Sequence, residues 1–143
     1  MKLQKIKKNQ KISSENAREN AFRYDAMPTI FSHGYVVTDP NYSNAKLLGI
    51  VKRDLPDRTI LKMAIEKDVT SIWHVAKDEF NFPKYKYFDP TIWVAYKEDG
   101  KCYIGTVTVR QDYTGGGTYG PLYVAFTSDG STPDKGIDCI KVK

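Results

Sequence analysis

Ile92-Trp93-Val94-Ala95-Tyr96-Lys97-Glu98-Asp99-Gly100 recurs thirty residues later as Leu122-Tyr123-Val124-Ala125-Phe126-Thr127-Ser128-Asp129-Gly130. The copies match aliphatic with aliphatic, aromatic with aromatic, Val with Val and Ala with Ala, and both close on Asp-Gly. Aromatic and β-branched side chains suit the pleated surface of a strand, and Gly takes the positive φ that ends it in a tight turn. A weaker copy, Ile72-Trp73-His74-Val75-Ala76-Lys77-Asp78, precedes both. The chain is therefore read as a set of strands.

Between the two strong copies, residues 102–111 alternate Cys102, Ile104, Thr106, Thr108 and Arg110 with Tyr103, Gly105, Val107 and Val109. Asp-Gly between alternating runs is a strong hairpin signal. A Gly-rich stretch then leads to the strand at 122–127, and a polar loop at 128–136 leads to a last strand at 137–142. These four segments predict a C-terminal antiparallel β-meander. Upstream, strands are expected at 30–37 and 47–51. The run 59–69 fits a helical face through Ile60, Leu61, Ala64 and Ile65, or a strand through Leu61, Met63 and Ile65. The strand is preferred, because Glu66-Lys67-Asp68 then turns it directly into 71–76. The expected fold is mainly β, an antiparallel sandwich or barrel.

The chain has 143 residues and a formal net charge of +5. That length suits one domain with a real core. The charge is unevenly spread: residues 1–28 hold seven basic and three acidic side chains, leaving fifteen basic against fourteen acidic in the rest. The division expected is a basic N-terminal arm over 1–28 and a single β-rich domain over 29–143. Ser13 or Ser14 could cap a short helix in the arm, ended by Pro28. The arm is either a solvated tail or a segment that orders on a partner, with Lys2, Lys5, Lys7, Lys8, Lys11, Arg18 and Arg23 as its contacts. The same lysines could meet nucleic acid.

Two loops are candidates for contact with a partner or ligand. The stretch 80–90 reads FNFPKYKYFDP and sets Phe82, Tyr85, Tyr87 and Phe88 among Lys84 and Lys86. Such rings pack over the end of a core or stack on a ligand. The second loop carries Tyr113, Gly115, Gly116, Gly117 and Tyr119. Consecutive glycines let N–H groups approach an anion. A phosphate loop opens a helix, however, whereas Pro121 and a strand follow here, so a hairpin loop is the better reading.

Catalytic and metal chemistry is not expected. Two His and two Cys make neither a zinc set nor a nucleophile with its base. His74 reads as a structural histidine. Asp129, Asp134 and Asp138 lack the alternating ligands of a Ca²⁺ loop. No cofactor is implied. Cys102 and Cys139 read as small buried hydrophobes, with a disulfide as the alternative. No apolar run reaches the roughly 18 residues of a membrane span. No apolar stretch follows the basic start as it does in a secretory signal, so an intracellular protein is expected. The function expected is a non-enzymatic structural or assembly protein, such as a small virus or phage particle component, whose arm orders on neighbouring subunits. The alternatives are a protein- or nucleotide-binding inhibitor module using the two loops, and nucleic-acid binding through the arm.

Overall fold

Alternation from Cys102 onward continues further than expected and yields the strand on which the others are hung. The computed structural model describes residues 18, 22–37, 42–67, 72–128 and 133–143. Its strands are β1 (Thr59–Glu66), β2 (Trp73–Lys77), β3 (Pro83–Phe88), β4 (Thr91–Glu98), β5 (Lys101–Gly115), β6 (Thr118–Tyr119), β7 (Tyr123–Thr127) and β8 (Lys135–Ile137). They form one antiparallel sheet in the order β1-β4-β5-β3-β2, with β6, β7 and β8 also paired to β5. The mainly β expectation holds, with a strand over 59–66 as preferred.

Register explains how β5 takes so many partners. Along one edge it pairs with β4 up to Val107 and then with β3 from Arg110 to Asp112. Along the other it pairs with β8 from Cys102 to Ile104 and with β7 from Val107 to Arg110. The two repeated segments thus flank the same strand. Asp99 and Gly100 turn β4 into β5 with φ of 52° and 79°, the left-handed pair a two-residue hairpin requires. The meander runs β4-β5-β7. The last strand then fills the length of β5 that β7 leaves unpaired, and does not add beside β7.

Four local expectations are corrected. Residues 47–51 are helical, within α1 (Asn44–Asp54), whose Ser43 side chain accepts from the Lys46 N–H at 3.2 Å. Leu47 and Val51, one turn apart, are fully buried. A helix this short does not persist alone. Burial worth about 2 kcal/mol for each of the two side chains docks it on the sheet. At its C-terminal end, Arg53 donates to the Leu122 carbonyl at 2.8 Å, and Asp54 accepts from the Val124 N–H at 2.8 Å. The Arg53 hydrogen bond is the main reason that the Asp54 carboxyl lies below its ordinary value. Residues 30–37 form a 3-10 turn (Thr29–Phe31) and irregular chain, and the last strand gives way to a second such turn (Cys139–Lys141). The expected loop at 80–90 contains β3, because Pro83 opens a strand at a position that needs no N–H.

The sheet buries different residues on its two faces. One face, here the helix face, packs Ile92, Val94, Tyr96, Tyr103, Val107 and Val109 with Leu47 and Val51. The other buries Ala95, Cys102, Ile104 and Ile137 beneath Tyr24, Met27 and Phe31. Residues 22–37 thus form a strap. The Tyr24 N–H donates to the Gly136 carbonyl at 2.8 Å beside β8, and the Tyr35 N–H donates to the Ile65 carbonyl at 2.7 Å on β1. The sequence boundary at 28 falls inside this strap. A Cys102–Cys139 disulfide replaces the expected free thiols and ties the C-terminal turn to β5. Closing a loop of 37 residues this way contributes about 4 kcal/mol in the chain-entropy treatment.

Charged groups close the β8 end of the helix face. Arg18, 8% exposed, donates to the Tyr96 hydroxyl at 3.1 Å and pairs with Glu98 at 2.9 Å. The Tyr96 hydroxyl donates to Asp134, and Arg58 lies 3.5 Å from Glu98 and 3.6 Å from Asp134. The Arg18 and Arg58 guanidinium groups lie over the Tyr103 and Tyr96 rings at 4.5 and 4.3 Å. Two cations and two carboxylates balance, which is the condition for burying them. Gly105 makes the room: a Cβ there would stand 2.0 Å from the Asp134 carboxylate.

Gly105→Ala and Asp134→Ala should each cost about 3 kcal/mol in urea unfolding. The double variant should cost less than their sum by about 1 kcal/mol or more; simple additivity would contradict the packing described. Burial raises the Asp134 carboxyl above its ordinary range, outweighing the Tyr96 hydrogen bond. Its stabilising contribution is then complete below the unfolded value and is lost as pH rises through the raised folded value. Asp134→Asn should flatten that decline.

Candidate binding face

Even-numbered residues of β5 point to the strap side of the sheet. The strap and the C-terminal turn cover Cys102 and Ile104. Beyond them, Thr106, Thr108, Arg110 and Asp112 form a row that is half-buried or exposed. Aromatic side chains border the row in register: Trp93 opposite Thr106, Phe126 opposite Thr108, Tyr87 and Tyr123 opposite Arg110, and Tyr85 opposite Asp112. Phe126 is 59% exposed.

Arg110 is the charged centre of this face. Its guanidinium lies 4.1 Å from the Tyr85 ring, 5.3 Å from Phe126 and 5.7 Å from Tyr123. Its Nε donates to the Tyr123 hydroxyl at 2.7 Å, and that hydroxyl donates to Asp112 at 2.5 Å. The arginine is held by one nitrogen, and its two terminal nitrogens make no hydrogen bond among the described residues. Burial raises the Tyr123 phenol; the Arg110 hydrogen bond opposes that shift and the Asp112 contact adds to it. Between Tyr85, Tyr87, Thr108, Arg110 and Phe126 lies a hollow of about 190 Å³.

A larger cavity, about 370 Å³, continues the same face toward the strap and is lined by Tyr24, Trp93, Thr106, Ser128, Pro133 and Lys135. Trp93 is fixed by its Nε1–H, which donates to Glu66 at 2.8 Å. The Ser128 and Thr106 hydroxyls lie 2.9 Å apart, and the Lys135 ammonium stands 5.4 Å from the Tyr24 ring centroid. Among the described residues this face offers ring surfaces, hydroxyls, cations and the carboxylates of Glu66 and Asp112.

The two sequence-derived loops do not form one surface. Tyr85 and Tyr87 lie on the open face, and exposed His74, expected to be structural, has its ring 5.2 Å from Tyr87. Phe88 is 2% exposed and packs edge-on against Trp73, because strand alternation turns it to the helix face. Tyr113 and Tyr119 pair with each other at 5.4 Å, and Lys86 reaches over Tyr119. Gly115, Gly116 and Gly117 all have positive φ, and the Gly117 N–H is taken by the Tyr113 hydroxyl at 2.9 Å, so this loop is a hairpin turn. Phe82 is exposed in the β2–β3 turn, where the Asp78 carboxylate accepts from the Phe80 and Phe82 N–H groups.

In the arm, Arg18 belongs to the buried charge cluster and Arg23 pairs with Asp138 at 3.1 Å, both within this chain. Lys2, Lys5, Lys7, Lys8 and Lys11 lie outside the described residues. So does Asp129, and Asp134 and Asp138 are engaged separately by Tyr96 and Arg23. Among the described residues no cluster of His, Cys, Asp or Glu could hold a metal, and no helix is long and apolar enough to cross a membrane.

No family model matches this chain. No curated protein and no solved structure matches it either. Sequence reasoning missed Arg110, Tyr123, Phe126, Trp93 and Lys135. The available signal was the Thr106-Thr108-Arg110 row, polar on one side of a strand whose other side is Val107 and Val109. Arg110→Ala should raise the Tyr123 titration further and Asp112→Asn should lower it, read by ultraviolet difference titration against Tyr123→Phe. No movement in either variant would show that the chain of hydrogen bonds does not form.

Proposed function

We propose that this protein is a non-enzymatic binding module, and that the uncovered half of the strap face takes a ligand combining flat rings with negative charge. The observation that supports this reading is the held but incompletely bonded Arg110 guanidinium among Tyr85, Tyr87 and Phe126. A guanidinium with free terminal nitrogens matches a carboxylate or phosphate, and neighbouring aromatic faces match a planar ring. This extends the nucleotide-binding alternative drawn from the sequence, but moves the site from the loops to the sheet.

The assembly reading rested on an arm free to reach a neighbour. Arg18 and Arg23 pair within their own chain and so lend that reading no support, while the five arm lysines lie outside the described residues. The Cys102–Cys139 bridge further supports maturation in an oxidising compartment, against the intracellular expectation.

Adenosine 5′-monophosphate, one planar ring system with one anion, is a minimal probe. Titrated into the labelled full chain, it should shift backbone amide resonances at 106–112 and 123–127, and Arg110→Ala should weaken it about tenfold or more. Arg110→Lys, which keeps the charge but not the fork, should fall between them. Absence of shifts on this face, or an undiminished affinity in Arg110→Ala, would overturn the proposal.

A further inference from the structure

The spacing of rings along β5 carries the reading from a ligand class to a polymer. Residues on one face of a strand recur about every 6.7 Å. Thr106, Thr108, Arg110 and Asp112 are four successive steps, and each has at least one aromatic residue as its cross-strand neighbour: Trp93, Phe126, Tyr87 with Tyr123, and Tyr85. The Tyr85 and Tyr87 centroids are 6.4 Å apart, which shows the interval directly. Rings that flank successive steps of β5, Tyr85 and Tyr87 on the β3 edge, Trp93 on β4 and Phe126 on the opposite β7 edge, match a ligand that itself repeats a flat group at a similar step. An extended single-stranded polynucleotide does so, with one base and one phosphate per step, whereas a duplex hides its bases within the stack.

Charge on the face runs the same way. Register places Lys62, Lys97 and Lys135 on the strap side with Arg110. Among the described strand residues, the carboxylates on that side are Glu66, engaged by Trp93, and Asp112, engaged by Tyr123 and 3.9 Å from the Arg110 Nε. The 370 Å³ cavity at Lys135 lies beyond Thr106, at the end of the ladder away from Asp112. We infer that this face binds single-stranded nucleic acid, with bases against the rungs from Asp112 to Thr106 and the chain continuing past Arg110 into the Lys135 cavity. The inference rests on the binding-face reading above and assigns its ligand.

The test is fluorescence anisotropy of end-labelled dT2, dT4 and dT8 with the full chain at fixed salt. Affinity should rise steeply from dT2 to dT4 and little thereafter. Tyr87→Ala and Phe126→Ala should each weaken dT4 about tenfold. Lys135→Ala should remove most of the gain from dT2 to dT4, leave dT2 within about twofold, and reduce the log–log salt slope by about 0.7, the value for one lost single-strand phosphate contact; Lys135→Arg should restore both. Equal affinity at all lengths, or equal loss of dT2 and dT4 in Lys135→Ala, would overturn the ladder. Binding of a heparin fragment without dT8 would overturn the nucleic-acid assignment while the monophosphate shifts at Arg110 keep the binding face. If those shifts are also missing, the face itself is wrong.

Discussion

A strand offers two edges and two faces, and β5 uses all four. Its edges hold five other strands, its odd-numbered side chains anchor the core beneath α1, and of its even-numbered ones only Cys102 and Ile104 are covered. Only β1 and β2 pair elsewhere, on β4 and β3, so the whole sheet is built outward from that strand. The repeated segments β4 and β7 lie on opposite edges, and β8 occupies the length that β7 leaves unpaired. A change that bends or shortens β5 would therefore alter the core and the open face together.

What divides the even-numbered side is the strap. It is held by two backbone hydrogen bonds at its ends and by Tyr24, Met27 and Phe31 packed over Ile104 and Ile137. The exposed Arg23–Asp138 pair adds little, since such pairs are worth no more than about 1 kcal/mol. Arg18 differs, because it is buried among Glu98, Tyr96 and Tyr103 and its removal would leave Arg58 alone to balance two carboxylates. The strap ends at Ile104, and from Thr106 onward the same face carries threonines, an arginine and exposed rings. Hydroxyls and a guanidinium bordered by aromatic side chains are poor material for a core but suit contact with a polar, ring-bearing ligand.

The sheet was legible because alternation at 92–97, 102–111 and 122–127 is strong, and Asp99-Gly100 fixes one hairpin. Helix α1 was misread because Leu47-Leu48 and Ile50-Val51 look like strand pairs; Ser43 four residues before Leu47, with Val51 one turn on, is the pattern that corrects it. The Cys102–Cys139 bridge and the Gly105–Asp134 fit depend on contacts between residues about thirty or more positions apart, which local periodicity does not encode. The binding face escaped for a similar reason: Trp93, Tyr87 and Phe126 belong to three strands, and only their common register with β5 brings them to one surface. Composition did identify Tyr85 and Tyr87, but it grouped them with Phe88, Tyr113 and Tyr119, which alternation sends to the other side.

That residues 22–37 are an integral strap, limiting how much of the face stays open, is the claim on which the site depends. Amide hydrogen exchange on the full chain tests it most directly at Tyr24 and Tyr35, whose N–H groups are bonded to Gly136 and Ile65. Both should exchange slowly, with protection approaching that of the β5 amides. Exchange at both positions as fast as in an unstructured peptide would contradict the account.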